Sequence, residues 1–387
     1  LLFSSCNKIK EFQEGNEIEF WHFWSEPNQA KVIDSLIKEF EKQTNIKVNV
    51  TQLSWSNGKS KLIAAFNSNT PPDVLELGSD WVAQFSASNV LAEFNENELG
   101  YFIEFSKSPS MWDNRYYALP WIVDTRVLFV NADILKKSNV EIIPHTWEEI
   151  ISISSKINDR NNEVYAIGVN GPDKNRLYKK AITYIWSANA DWKYDEISSK
   201  ENEYALNLYK QSAQNGIVEI QRNLDRLFIQ GKLAFTISGA WLINMIKKDN
   251  PKLNYKITEV PNTKFHKGIS FAGGEYIAVS KSSKNVSDAK KFALWLTDGK
   301  NTIEFCKKVP EGGFPADKRY FQDDFFKANS EKMVFAQQLL NSRMTPVHPK
   351  WLEIQDILEE TYERVLYNYN TPKEALNLAK RKLSVIK

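Results

Sequence analysis

EIEFWHFW (17–24), SEPNQAKVIDSLIKEFEKQT (25–44), IKVNVTQL (46–53) and PPDVLEL (71–77) follow one another near the start of the chain, and their order decides the fold. The first is aromatic-rich and reads as a strand. In the second, Val32, Ile33, Leu36, Ile37 and Phe40 recur at helical spacing and line one face. Ser25 stands where an N-cap belongs and Pro27 suits a first turn. The third stretch alternates Ile46, Val48 and Val50 with polar neighbours, a strand pattern. A helix over about 58–68, with Leu62, Ile63, Ala65 and Phe66 inward, leads to the strand PPDVLEL, after which Ser79 is placed to cap a helix beginning DWVAQF. Strand and helix alternating three times predict an open, largely parallel sheet with helices on both faces.

The alternation resumes downstream. TRVLFVN (125–131) and EVYAIGV (163–169) read as strands around a helix HTWEEIISISSKI (145–157) capped by Thr146, with further helices at about 176–187 and 201–214. RLFIQGKLAFTISGAWLINMIKK (226–248) reads as helix, Gly turn, strand, Gly turn and helix. NYKITEVP (254–261) and GGEYIAVSK (273–281) are strands, SDAKKFALWLTDG is a helix ending at Gly299, and the chain from 322 onward is mostly helical. No short repeat suggests a solenoid or propeller. At 387 residues the chain exceeds what one core usually supports, so two α/β units joined more than once are expected.

A hydrophobic fraction of 42% and a charged fraction of 25% are those of a globular protein. Fifty basic residues against 48 acidic give a formal charge of +2, and without a long Lys/Arg run a nucleic-acid partner is not expected. Twelve Trp, fifteen Tyr and twenty-two Phe exceed what a core alone needs, which leaves some indoles to line a cleft. The four His are scattered, and no metal or cofactor is expected. Cys306, in the helical run TIEFCKKV, reads as a buried thiol; Trp147 and Trp295, inside helices, read as core. No apolar run reaches the ~18–20 residues of a spanning helix.

The N-terminal LLFSSC (1–6) resembles the end of a bacterial lipoprotein signal peptide, in which small residues precede a Cys. That resemblance implies lipid attachment at Cys6, a tether over 7–16, and a folded part anchored to a membrane outside the cytoplasm.

Over residues 17–385 the chain resembles the extracellular solute-binding proteins of ABC importers, in the sugar-binding group that includes maltose-binding proteins. The resemblance is carried by FWHFW, EFEKQTNIKVNV, KLIAAFNSNTPPDVLELGSDW, YALPWIVDTRVLFVN, HTWEEI, FIQGKLAFTISGAW, FAGGEYIAVSK, AKKFALWLT and TPKEALN, in that order. It implies a two-lobed periplasmic-binding-protein-like α/β fold, each lobe a mixed sheet flanked by helices, with a ligand cleft between them. Expected lobes are 17–122 with 268–315, and 123–267 with 316–387, with chain crossings near 122–125, 262–268 and 315–322. The implied function is capture of a sugar or oligosaccharide by hinge closure and delivery of it to a membrane permease, as a monomer and without catalysis.

Ligand sites favour the carboxyl ends of strands at domain interfaces. Those positions hold Trp24 and Ser25, then Ser79, Asp80 and Trp81, then Trp121 and Asp124. In the other unit stand Trp186 and Trp241, with Gly273, Gly274 and Glu275 before the last long strand and Trp55 and Arg343 as rim contacts. Indoles suit the apolar face of a sugar ring, and carboxylates and hydroxyls suit its rim. Trp241 is singled out because the resemblance implies a stacking aromatic after the Ser-Gly turn. Two other functions compete: the same fold holding a polyamine, metal or anion, and a carbohydrate-active enzyme using paired carboxylates. Against the enzyme, G-x-S-x-G, H-E-x-x-H and a P-loop are all absent from the sequence.

Overall fold

The computed structural model describes residues 17–173 and 177–386. Cys6 and the tether expected over 7–16 lie outside the described residues. Strand Glu17–His22 pairs in parallel with Lys47–Gln52 on one side and Val74–Gly78 on the other. Val74–Gly78 is buried along its whole length, as a strand covered on both faces must be. The sheet then turns mixed: the long strand Ser270–Val279 runs antiparallel to Val74–Gly78 and to Ala118–Thr125, and Phe314–Pro315 closes the edge.

At Arg126 the chain leaves this sheet and enters a second one directly as Val127–Asn131. That strand lies antiparallel to Leu233–Ser238 and Tyr255–Thr258, while Tyr165–Asn170 and Ile217–Glu219 extend the sheet in parallel. Ser342–Arg343 lies parallel to the start of Ser270–Val279. Three passages of the chain therefore run side by side between the two sheets. They are tied by Thr125 Oγ1 donating to Phe271 O at 2.8 Å and Ser270 Oγ donating to Arg126 O at 2.7 Å.

One apolar cluster covers a face of the first sheet and continues beneath the junction into helices Gln221–Ile229 and Trp241–Asp249. Helix Ser330–Leu340 packs against strands of both sheets along that route. A second cluster forms the interior of the second lobe, and a third, built on Phe23, Leu77 and Trp81, covers the other face of the first sheet. No helix among the described residues is long and apolar enough to cross a membrane.

Local differences from the sequence reading have local causes. Ser25 does not cap the first helix. Pro27 holds the residue before it extended, so the helix spans Pro27–Thr44 and Glu26 caps it in a capping box with Gln29. Ser79 caps nothing; its N–H donates to Gly274 O at 3.0 Å, prolonging sheet contact, and the helix begins one turn later at Val82. Gly299 opens a further helix, Gly299–Lys308, because the Asp298 carboxylate accepts from Lys300 N–H. Ile63, expected inward, is 36% exposed. Thr146 does cap Trp147–Ile157, reciprocally with Glu149.

Candidate ligand-binding cleft

The carboxyl ends of the parallel strands in both sheets converge on the junction. Gly78, ending one strand, stands opposite Glu275, and Ser238, ending another, stands opposite Val127 and so beside Arg126. Side chains from both lobes meet there. Asp80 of the first lobe faces Lys179 of the second, Oδ2 to Nζ, at 3.5 Å. Lys179 Nζ also stands 5.5 Å from the Phe271 ring centre. Arg126 pairs with Asp124 and stacks its guanidinium 4.7 Å over Trp241.

Trp241 is fixed from below. Its indole N–H donates to Asp225 Oδ2 at 2.9 Å, while Gln221 and Ser238 donate to the other Asp225 oxygen at 2.7 and 2.9 Å. Burial raises the Asp225 pKa, and these three donors pull the other way. Gly239 leaves the space the indole needs: a Cβ there would lie 2.0 Å from the Trp241 ring.

On the first-lobe side, Trp55 stacks on Phe23 with ring centres 4.3 Å apart and meets Trp81 at 5.4 Å. Trp55 is 43% exposed, whereas Trp81 is buried and has the Lys59 ammonium 5.2 Å from its ring centre. Gly273 and Gly274 admit close neighbours, since a Cβ on the first would meet Asp124 Oδ1 at 2.7 Å and on the second Ile122 O at 2.5 Å. Glu275 is partly accessible to solvent. Burial and the Asp124 carboxylate raise its pKa well above the ordinary range. Glu76, on the same strand face one pleat away, is fully buried and pushed up to about 8 by burial, although it accepts from Phe23 N–H at 2.8 Å.

Of the residues singled out from sequence, Trp55, Ser79, Asp80, Trp81, Asp124, Trp241, Gly273, Gly274 and Glu275 fall within this constellation. Trp24 is buried beside it, edge-on to Trp121 and Phe305, and Ser25 next to it is exposed. Trp121 is fully buried: it is the extra residue of a bulge, since Glu275 pairs Ile122 and Tyr276 pairs Pro120, and its ring packs into the core. Trp186 corrects the expectation more sharply. It lies within helix Tyr178–Ser187 and is closed into the second-lobe core, because every residue of that helix but Lys179 is buried. Arg343 sits exposed on the junction strand and has no side-chain partner in the constellation among the described residues.

Sequence reasoning passed over Lys59, Glu76, Arg126, Lys179 and Asp225. Arg126 follows Asp124 in the crossing, and a charge inside so apolar a run was a usable signal. The lysines looked like ordinary helix surface. A separate hollow of about 690 Å³ lies on the C-terminal helices, lined by Tyr194, Arg364, Lys380 and Arg381 among others, and shares no residue with the cleft.

Two mixed sheets, joined by three adjacent strands with polar and aromatic groups facing across the junction, define a two-lobed α/β binding protein. The chain matches the family of bacterial extracellular solute-binding proteins over residues 24–302 and belongs to it. The family is extracellular, which places the folded part outside the cytoplasm. The chain is 26% identical to the galactooligosaccharide-binding protein of Bacillus subtilis over 388 residues, 96% of this chain and 90% of that one. Two solved structures share the fold. One is a Thermotoga lettingae solute-binding protein with bound α-D-tagatose, at TM-score 0.82 and 23% identity, covering 95% of this chain and 98% of that one. The other is the GacH receptor of Streptomyces glaucescens, seen unliganded and with acarbose, at 0.84 and 19%, covering 95% and 97%.

Proposed function

We propose that this protein is the ligand-capturing subunit of an ABC importer, holding a sugar or oligosaccharide between its lobes and passing it to a membrane permease. The observation that carries the reading is the contact of Lys179 from one lobe with Asp80 from the other, with Trp241 and Arg126 beside the junction on one side and Trp81 and Glu275 on the other. The bound form is the closed one, since only there do both lobes touch the ligand. The protein acts without catalysis and as a monomer; the lobes expected as 17–122 plus 268–315 and 123–267 plus 316–387 divide instead at Arg126, because strand Ala118–Thr125 stays whole in the first sheet. The LLFSSC motif supports a lipid anchor at Cys6. The stacking floor is assigned to Trp81 and Trp241, the rim to Trp55, Asp80, Asp124, Glu275 and the backbone at Gly273 and Gly274. Lys59, Arg126 and Lys179 at the junction, with Lys180 5.5 Å from the Trp241 ring centre, weigh against a polyamine.

The test is calorimetry with a panel of mono- and oligosaccharides, followed by chromatography of the recovered sugar. A saccharide is expected to bind and be recovered intact. Trp241→Ala should weaken that binding by about 1–3 kcal/mol, the scale for truncating a buried aromatic anchor. Absence of binding across the panel overturns the reading, and cleavage of the sugar overturns its non-catalytic part.

A further inference from the structure

Lys59 is the second residue of helix Gly58–Asn67. A cation in the first turn opposes the helix dipole, whose positive end lies there. No acidic residue shares that turn, and the Asn57 cap makes no side-chain bond to it. The Lys59 ammonium is nevertheless shielded from solvent, and no hydrogen-bond acceptor or ion-pair partner reaches it among the described residues. An ammonium in such a place is costly unless an anion joins it. Nothing about helix stability explains its position.

The surroundings supply the rest. Lys59 lies 5.2 Å from the Trp81 ring centre, and the nearby carboxylate, Asp80, is engaged by Lys179 of the opposite lobe at 3.5 Å. Lys59 and Lys179 thus approach one carboxylate from two lobes, leaving one positive charge more than negative. The next carboxylates inward do not correct the imbalance. Asp124 is paired with Arg126, and Glu275 and Glu76 are kept toward the protonated form by burial. Burial lowers the Lys59 pKa to about 8; the Asp80 charge opposes that shift, the Lys179 charge adds to it, and an arriving anion would reverse it.

We propose that the cleft takes an acidic saccharide, with the carboxylate of a uronic acid unit seated between the Lys59 and Lys179 ammonium groups and its ring against Trp81. The proposal rests on the sugar-binding reading above and narrows its ligand class. An anion at this point touches a cation from each lobe, so it favours the closed form as well as neutralising the surplus charge. A neutral sugar can offer Lys59 only hydroxyl acceptors and no compensating charge, whereas a carboxylate gives a charge-assisted bond, which sets the direction of selectivity.

The experiment is calorimetry of the whole protein with matched pairs: galacturonate against galactose, glucuronate against glucose, and trigalacturonate against galactotriose. At least one uronate is expected to bind tenfold or more tightly than its neutral partner. Lys59→Gln should weaken that binding at least tenfold, and Lys59→Arg should restore most of it. Removing a cation from a first turn does not threaten the helix, and circular dichroism of Lys59→Gln checks that the fold is kept. Neutral sugars binding as tightly as uronates, or uronate affinity in Lys59→Gln within twofold of the parent, sinks the proposal while the sugar reading stands. Failure of neutral and acidic members alike removes both.

Discussion

Glu76 and His22 carry opposite penalties in the first-lobe interior. Burial lowers His22 to about 4 from 6.5 and raises Glu76 to about 8 from 4.5. A depressed base contributes stability that is full above its unfolded pKa and lost as pH falls through its folded one. A raised acid contributes stability that is full below its unfolded pKa and lost as pH rises through its folded one. Of this pair, therefore, only Glu76 acts between pH 6.5 and 8, and it destabilises as pH rises. Glu76→Gln keeps an oxygen for Phe23 N–H and removes the titration. We expect it to be more stable than the parent by on the order of 1–3 kcal/mol at pH 8, with a gap that narrows toward pH 5. Thermal melts across that range decide it; a gap independent of pH would refute the assignment. Such effects were invisible in sequence, where VLEL reads as an ordinary strand and nothing marks its glutamate as sealed.

The strand-to-helix turn at Ser238, Gly239 and Trp241 shows how an element sets a side chain. Leu233–Ser238 ends, the chain turns without a Cβ at Gly239, and the indole folds back into that space while bonding Asp225. Gly239→Ala should leave the fold intact but push Trp241 aside, lowering saccharide affinity about tenfold, the scale of one displaced aromatic anchor. Calorimetry beside a melting curve separates the two effects; unchanged affinity in the folded variant would mean the turn does not place the indole. Elements with a short-range signal were legible. The Thr146 cap, the alternation in 46–53 and the apolar stripe of Pro27–Thr44 all stand where the sequence put them. Ends were less so, because Ser25, Ser79 and Gly299 had the right chemistry but lost their positions to a proline, a sheet hydrogen bond and a neighbouring acid.

At the scale of the whole molecule, Asp80–Lys179 joins two lobes that also share three strands, a bridging core and the hydrogen bond that Asn244 donates to Glu311. The pair is partly screened, with side-chain exposures of 3% for Asp80 and 23% for Lys179, so about 1 kcal/mol is a fair magnitude. Asp80→Asn should therefore shift the ligand-free population toward the open form by about fivefold. Single-molecule energy transfer between dyes on the two lobes reads this directly, and identical distributions in parent and variant would show that the contact does not hold the lobes together.

Periodicity, capping chemistry and the order of apolar runs determined the α/β alternation from sequence alone, because these signals are local and each strand or helix carries its own; the two-lobed arrangement was what the family resemblance implied. Strand-end reasoning and the resemblance together named nine candidates that stand near one junction, although Gly273, Gly274 and Glu275 lie inside strand Ser270–Val279, not before it. Tertiary structure alone decided which indoles stay accessible. Trp186 and Trp121 are closed into cores while Trp55 is not, a difference set by what packs on each face. It also decided which charges meet. Lys179 meets Asp80 and the nearby Lys59 only by the approach of two lobes, and no spacing along the chain encodes that contact.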